Sequence, residues 1–182
     1  MTPPVSMRPG CASDAPTLAD FAARAFRDAY AHLIEPAEMQ RLLLLQFGER
    51  QQAAELADPR AAYVLAEIEG RLAGYVLVRA DRAPPIGEVA VPVELGRLYV
   101  DRRWHGRGIA PALMRAAIGA ARRLGGRTLW LSVWQRNPRA AAFYRKCGFV
   151  TVGTASWDLA EDVVPDDIMA LDLASAGAEP AG

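Results

Sequence analysis

The sequence predicts one α/β (α+β) domain: a mixed, mostly antiparallel twisted sheet of six to seven strands flanked by helices. Three observations carry this. A chain of 182 residues is long enough for one domain with a full core. Alternating, strand-like runs and runs with a three- or four-residue apolar repeat are interleaved along the whole chain, without segregating into halves. Two pairs of neighbouring strands, one around Glu69-Gly70 and one at the C-terminal end, are joined closely enough to pair antiparallel. No internal repeat or boundary interrupts residues 7–173. Residues 1–6 read as a flexible leader and residues 174–182, mostly small, as a disordered tail.

The elements follow in order. Met7-Arg8-Pro9 is a short edge strand. Ser13 or Asp14 caps a first helix with Pro16 in its first turn, and Leu18, Phe21, Ala22, Ala25 and Phe26 mark its buried face. Pro36 restarts a second helix through Met39 and Leu42 to Leu45, and a further helical turn reaches Leu56 before Asp58-Pro59. Tyr63 to Ala66 and Leu72 to Val78 form a hairpin, and the segment from Asp81 to Pro92, with Pro84-Pro85 and Gly87, is a loop. Leu95, Arg97 and Tyr99 then alternate with Gly96, Leu98 and Val100 as a central strand. Arg127 to Trp134 is another strand, rich in branched and aromatic residues. Asn137-Pro138 starts a short helix that stops at Gly148. Phe149 to Trp157 and Asp167 to Leu173 are the paired terminal strands.

The central strand runs into a basic loop with Gly106 and Gly108, and the loop opens a helix whose apolar face is Ile109, Leu113, Ala117, Ala120 and Leu124. A helix start has unpaired amides and a partial positive charge, and glycine lets an anion come close to the backbone. Arg102, Arg103 and Arg107 add full charges. The loop is not a Walker loop, since no Gly-Lys-Ser/Thr follows, and the dinucleotide fingerprint fails at its third glycine, where Pro111 stands.

The formal charge is zero, with 21 basic and 21 acidic residues, which argues against a general nucleic-acid or membrane-surface binder. The distribution is uneven. Arg102 to Lys146 holds eleven Lys/Arg and no Asp/Glu, whereas Cys147 to the end holds seven Asp/Glu and no Lys/Arg. One segment is suited to an anion and the next to a cation, although about half of the arginines, Arg115, Arg122 and Arg123 among them, fit a solvated helix face equally well. Cys11 and Cys147 make neither a disulfide framework nor a metal-spaced cluster, and two histidines cannot supply a multi-histidine site, so no metal is expected. No signal peptide and no membrane-spanning run is visible, so a cytoplasmic protein is expected.

The most specific passage runs from Trp130 to Phe149. Asn137 and Tyr144 stand seven residues apart, two helical turns, and can face one cleft. A phenol with an ordinary pKa of about 10 can donate a proton to a leaving thiolate. The pattern N-x-x-A-x-x-F-Y-x-x-x-G-F after a strand, together with Arg103-x-x-Gly106-x-Gly108 after the central strand, resembles the GNAT family of N-acetyltransferases. Within it, Phe26 to Tyr30, Ala73 to Val76, the Trp-x-x-Val-Trp strand and Asp167-Ile168-Met169 resemble the bacterial PaiA type of polyamine acetyltransferase.

The resemblance implies a GNAT-like fold and an acetyl-CoA-dependent enzyme with these roles. Leu98, Tyr99 and Val100 would hold the pantetheine arm by their backbone. Arg103, Gly106, Arg107, Gly108, Ile109, Ala110 and Pro111 would seat the pyrophosphate. Asn137 would hold the pantetheine region, Phe143 would line the channel, and Lys146 (or Arg145) would reach the outer phosphate. Tyr144 would be the general acid. Acetyl would pass directly to a primary amine, since Cys147 lacks the paired base of a nucleophile. An amine of pKa near 10.4 must first lose a proton, roughly 4–5 kcal/mol at neutral pH. Glu94 is the first candidate base and His32 the second. Tyr30, His32 and Glu35 are candidate acceptor residues, and Asp158, Glu161, Asp162, Asp166 and Asp167 could hold a second ammonium of a polyamine. An amino acid, an aminoglycoside-like amine or a protein N-terminus stays open as acceptor, as does a non-catalytic acyl-CoA-binding module. A homodimer is common among such relatives.

Overall fold

The computed structural model describes residues 4–156 and 165–176. The strands are β1 (Val5–Pro9), β2 (Ala61–Ile68), β3 (Arg71–Ala80), β4 (Pro92–Val100), β5 (Thr128–Trp134), β6 (Val150–Ala155) and β7 (Asp166–Asp172). The helices are α1 (Ala15–Tyr30), α2 (Pro36–Phe47), α3 (Glu49–Ala57), α4 (Ile109–Arg123) and α5 (Pro138–Lys146). All seven strands belong to one sheet of order β1-β2-β3-β4-β5-β7-β6. β1 with β2, β5 with β7 and β6 with β7 are antiparallel, and β4 with β5 is parallel. That parallel pair needs a crossover, and α4 supplies it. The expected fold class stands.

Within this fold the chain forms two compact units, Met1–Leu77 with Arg97–Met114, and Val78–Gly96 with Arg115–Gly182. The core of the first gathers Leu18, Phe21 and Ala22 of α1, Phe47 of α2, Tyr63 and Leu65 of β2, and Tyr75 and Leu77 of β3. The α1 residues recur at three- and four-residue steps, which puts them on one stripe facing the sheet. In the second unit β5 buries Leu129, Trp130, Leu131 and Val133, while β7 buries Ile168, Met169 and Leu171. The parallel register sets Val93 against Leu129 and Glu94 against Trp130.

Several boundaries shift from the sequence reading. β1 starts at Val5, so residues 5 and 6 of the expected leader pair with Ile68 and Glu67 in the sheet. Asp14 is the N-cap residue of α1, but its carboxylate does not cap. It accepts from Arg8 at 2.7 Å and 2.8 Å and from the Cys11 amide at 2.8 Å, so it is turned toward β1 and the 3-10 turn before the helix. Of the leucine run, Leu42 is buried, while Leu44 and Leu45 are 74% and 61% exposed. The run is longer than the apolar stripe of one helix face. β6 ends at Ala155; Trp157, Asp158, Glu161 and Asp162 lie outside the described residues. Of the expected tail, residues 174–176 form a turn in which Arg122 of α4 donates to the carbonyls of Leu173 and Ala176, and residues 177–182 lie outside the described part.

Candidate active site

In the first unit, β4 ends in half-buried Leu98, Tyr99 and Val100. Its alternation is visible in burial: Val93, Leu95 and Arg97 face inward, and Glu94, Gly96 and Leu98 face the other way. Asp101 then ends the strand. Its carboxylate accepts from the Arg103 amide at 3.0 Å and from the Arg103 guanidinium at 2.7 Å, nucleating a 3-10 turn over Arg102–Trp104. That guanidinium holds the Asp101 carboxyl below its ordinary pKa. His105 Nε2 donates to the Val100 carbonyl at 2.9 Å, which folds the loop back on the strand.

Gly106 and Gly108 have φ of +74° and +77°, a region that costs an L-residue about 1–2 kcal/mol. A Cβ at either position would meet nothing within 4 Å, so backbone conformation, not crowding, requires glycine, and the space beside both is open. The Gly108 carbonyl accepts from the Ala112 amide at 3.2 Å, making Gly108 the residue before the first turn of α4. The amides of Ile109 and Ala110 belong to that turn and have no helical acceptor, and Pro111 stands where no helical bond is missed. Arg107 lies exposed with its guanidinium 5.3 Å from the centre of the Trp104 ring. First-turn amides without helical acceptors, open space beside the two glycines and exposed cationic side chains fit a diphosphate.

The proposed acceptor residues also lie in this unit. Tyr30 ends α1 with its ring 4.9 Å from Phe26. His32 is exposed in the turn that follows. Glu35 is exposed as well and precedes α2 without a side-chain cap bond.

In the second unit, Asn137 behaves as its spacing predicts: its side-chain carbonyl accepts from the Ala140 amide at 3.1 Å, with Pro138 opening α5. Two turns on, the half-buried Tyr144 ring lies 5.5 Å from Phe143 and 5.8 Å, edge-on, from Phe149. Lys146 and Arg145 are exposed at the helix end. Burial pushes the Cys147 thiol above its ordinary pKa, which leaves it a poor nucleophile at neutral pH. Glu94 is engaged by Arg79 of β3, whose Nε donates to Oε2 at 2.9 Å. A Cβ at Gly96 would come within 2.8 Å of the same guanidinium, so the glycine makes room for this pair. Of the acidic residues, Asp166 accepts from Ser132. Asp167 accepts from Gln135 at 2.7 Å, with Arg145 at 3.9 Å.

The first unit thus holds Tyr30, His32, Glu35, Leu98 to Val100 and Arg103 to Pro111, and the second holds Glu94, Asn137, Phe143, Tyr144 and Lys146. The pairings Arg79–Glu94 and Asp101–Arg103 were not read from sequence. The second had a signal, an acid two residues before an arginine at a strand end. Among the described residues, no group of three or more His, Cys, Asp or Glu could hold a metal ion, and no helix is long and apolar enough to cross a membrane.

Comparison with known proteins shows the family. The model of the acetyltransferase (GNAT) family matches residues 20–149. An uncharacterized N-acetyltransferase of Mycobacterium tuberculosis is 35% identical over 162 residues, 88% of this chain and 99% of that protein. The N-alpha-acetyltransferase RimI of the same organism is 38% identical over 100 residues, 54% of this chain and 58% of RimI. Among solved structures, the PaiA N-acetyltransferase of Thermoplasma acidophilum in complex with coenzyme A superposes with a TM-score of 0.72 at 18% identity, covering 93% of this chain and 99% of that one. The chain belongs to the GNAT family. It is an N-acetyltransferase.

Proposed function

We propose that the protein transfers acetyl directly from acetyl-CoA to a primary amine of a small molecule, with a polyamine as the favoured acceptor. The observation that carries the proposal is the loop before α4: two glycines at positive φ, open space beside them, and a helix start whose first-turn amides have no helical acceptor. Arg103, Gly106, Arg107, Gly108, Ile109, Ala110 and Pro111 are the proposed diphosphate seat. Leu98, Tyr99, Val100, Asn137, Phe143 and Lys146 complete the cofactor contacts.

Tyr144 is the proposed general acid. Its phenol would give its proton to the thiolate leaving group as the C–S bond breaks. Backbone amides near Leu98 to Val100 would steady the oxyanion that forms when the amine attacks the thioester carbonyl. Glu94 is the proposed base for the ammonium. Its carboxylate is held by Arg79, so it would take up the proton through a hydrogen-bonded water. Tyr30, His32 and Glu35 are proposed to meet the acceptor. The polyamine preference draws on the PaiA-like sequence features and on the acidic side chains of Asp166 and Asp167. A cytoplasmic homodimer that uses no metal and binds neither nucleic acid nor membrane completes the proposal.

A second reading, acetylation of a protein N-terminus, is favoured by the likeness to RimI over 100 residues. A panel of spermidine, monoamines, amino acids and short peptides, assayed by release of free coenzyme A thiol, separates the two. Turnover of spermidine supports the first reading, and turnover of peptides alone replaces it with the second. Calorimetry with coenzyme A tests both, since a protein with no affinity for it cannot run either reaction.

A further inference from the structure

Arg97 is a charged side chain on the buried face of β4, only 8% exposed. One terminal nitrogen donates to Glu55 Oε2 at 2.6 Å and to the Tyr63 hydroxyl at 3.1 Å. The other donates to Glu55 Oε1 at 3.2 Å and to the Gln46 carbonyl at 2.9 Å. These partners sit on α3, β2 and the last turn of α2. The guanidinium carbon also lies 5.0 Å from the ring centre of Phe47, the last residue of α2. Only a planar fork can serve three elements at once in this way. A buried ion pair adds little stability over an apolar replacement, and here it joins three elements through one guanidinium.

Phe47 passes that arrangement on in two directions. Its ring lies 5.0 Å from Phe26, which lies 4.9 Å from Tyr30 at the end of α1. It also meets Tyr99 edge-on at 6.3 Å. Tyr63 reaches Tyr99 by a second route, through Tyr75, with 5.9 Å between centroids at each step. β4 itself is held by its sheet neighbours. α2 is held more lightly, with Met39, Leu42 and Phe47 buried and its outer leucines in solvent.

We propose that Arg97, clamped by Glu55, is a positioning residue for the acceptor: it pins the end of α2 and Phe47, and so keeps the corner carrying Tyr30, His32 and Glu35 in one geometry against Tyr99. The proposal rests on the reading above that this corner meets the amine. Its loss loosens the acceptor side and leaves the α4 loop as it is.

Two variants test it. Arg97→Lys keeps the charge and loses the fork, and Phe47→Leu keeps the ion pair and cuts the aromatic path. In each, the KM of the best amine from the panel is expected to rise about tenfold, with kcat and the coenzyme A dissociation constant within about twofold of the parent. Hydrogen–deuterium exchange is expected to quicken over residues 36–57 and to stay unchanged over 95–100. Equal shifts for amine and coenzyme A, or an unmoved amine KM, overturn the proposal. If Arg97→Lys does not fold, Phe47→Leu decides by the same criteria. If the parent acetylates no amine, the functional reading fails on its own, and exchange that does not quicken over 36–57 in the variants overturns the role of Arg97 separately.

Discussion

Tyr75→Phe is expected to stabilise the folded chain by about 1–2 kcal/mol. The Tyr75 side chain is fully buried, and its hydroxyl has no hydrogen-bond partner among the described residues. In the unfolded chain water satisfies that hydroxyl; folding strips the water away without replacement, at a cost of roughly 1–3 kcal/mol. The ring is well used, with Phe21, Tyr63 and Tyr99 each 5.9 Å away between centroids, and phenylalanine keeps all three contacts. Burial also pushes the phenol pKa up, so no ionised form at neutral pH offsets the loss. Tyr63, stacked on the same ring, is the control of opposite sign. Its hydroxyl lies 2.6 Å from Glu55 Oε2 and 2.9 Å from Gln52 Oε1, and accepts from Arg97 at 3.1 Å. Tyr63→Phe strips a partner from buried groups and is expected to destabilise by about 1–3 kcal/mol. Urea unfolding followed by circular dichroism reads both, as midpoints that move in opposite directions at unchanged slope. A Tyr75→Phe protein less stable than the parent by about 1 kcal/mol or more would mean that the hydroxyl has a bonding role, and the reasoning fails.

Three further outcomes are expected. Tyr144→Phe lowers kcat by about 10²-fold or more, the usual weight of a positioned acid, with coenzyme A affinity unchanged by calorimetry. Gly108→Ala, at φ +77°, strains the backbone by about 1–2 kcal/mol and lowers coenzyme A affinity by about tenfold if the loop must keep its shape to bind. Stability falls on the acid side: the Arg8 hydrogen bonds hold the Asp14 carboxyl well below its ordinary range, and Glu55 is held low because Arg97, Tyr63 and Gln51 outweigh the burial that would raise it. A carboxyl depressed in the folded state contributes its stability above the unfolded pKa of about 4 and loses it as pH falls through the folded value, so the unfolding midpoint should drop below about pH 4 and stay flat from there to neutrality.

What the sequence disclosed follows the range of the physics involved. The end of β4, the two glycines and the start of α4 are legible because alternation, positive φ and helix nucleation are local properties. Asn137-Pro138 is legible for the same reason, and the cap bond to Ala140 is formed. Arg97 was visible as an arginine sharing a strand face with Leu95 and Tyr99, which ought to have demanded a buried acid. Its partner, Glu55, is 42 residues away on a helix with only a weak apolar stripe, and only the folded sheet brings them together. Glu94 shows the same limit. Its pairing with Arg79 depends on the register of two neighbouring strands, which no short stretch encodes.

The engaged arginines also bear on what an anion would meet at the α4 loop. Arg103 is 65% exposed and already bonded to Asp101, and Arg107 rests on Trp104, so both bring charge whose direction can change and which salt screens. The amides at the head of α4 are different. They are carried by a backbone shaped by Gly106 and Gly108 and by the helix behind them, with Ile109 and Leu113 buried, so under the proposed seat they would need little reorganisation to meet a diphosphate. Under the proposed seat, affinity would live chiefly in backbone geometry and the arginines would add charge that draws the anion in. That is also why Pro111 is tolerated: it removes an amide from the first turn while its fixed φ holds the remaining ones in place.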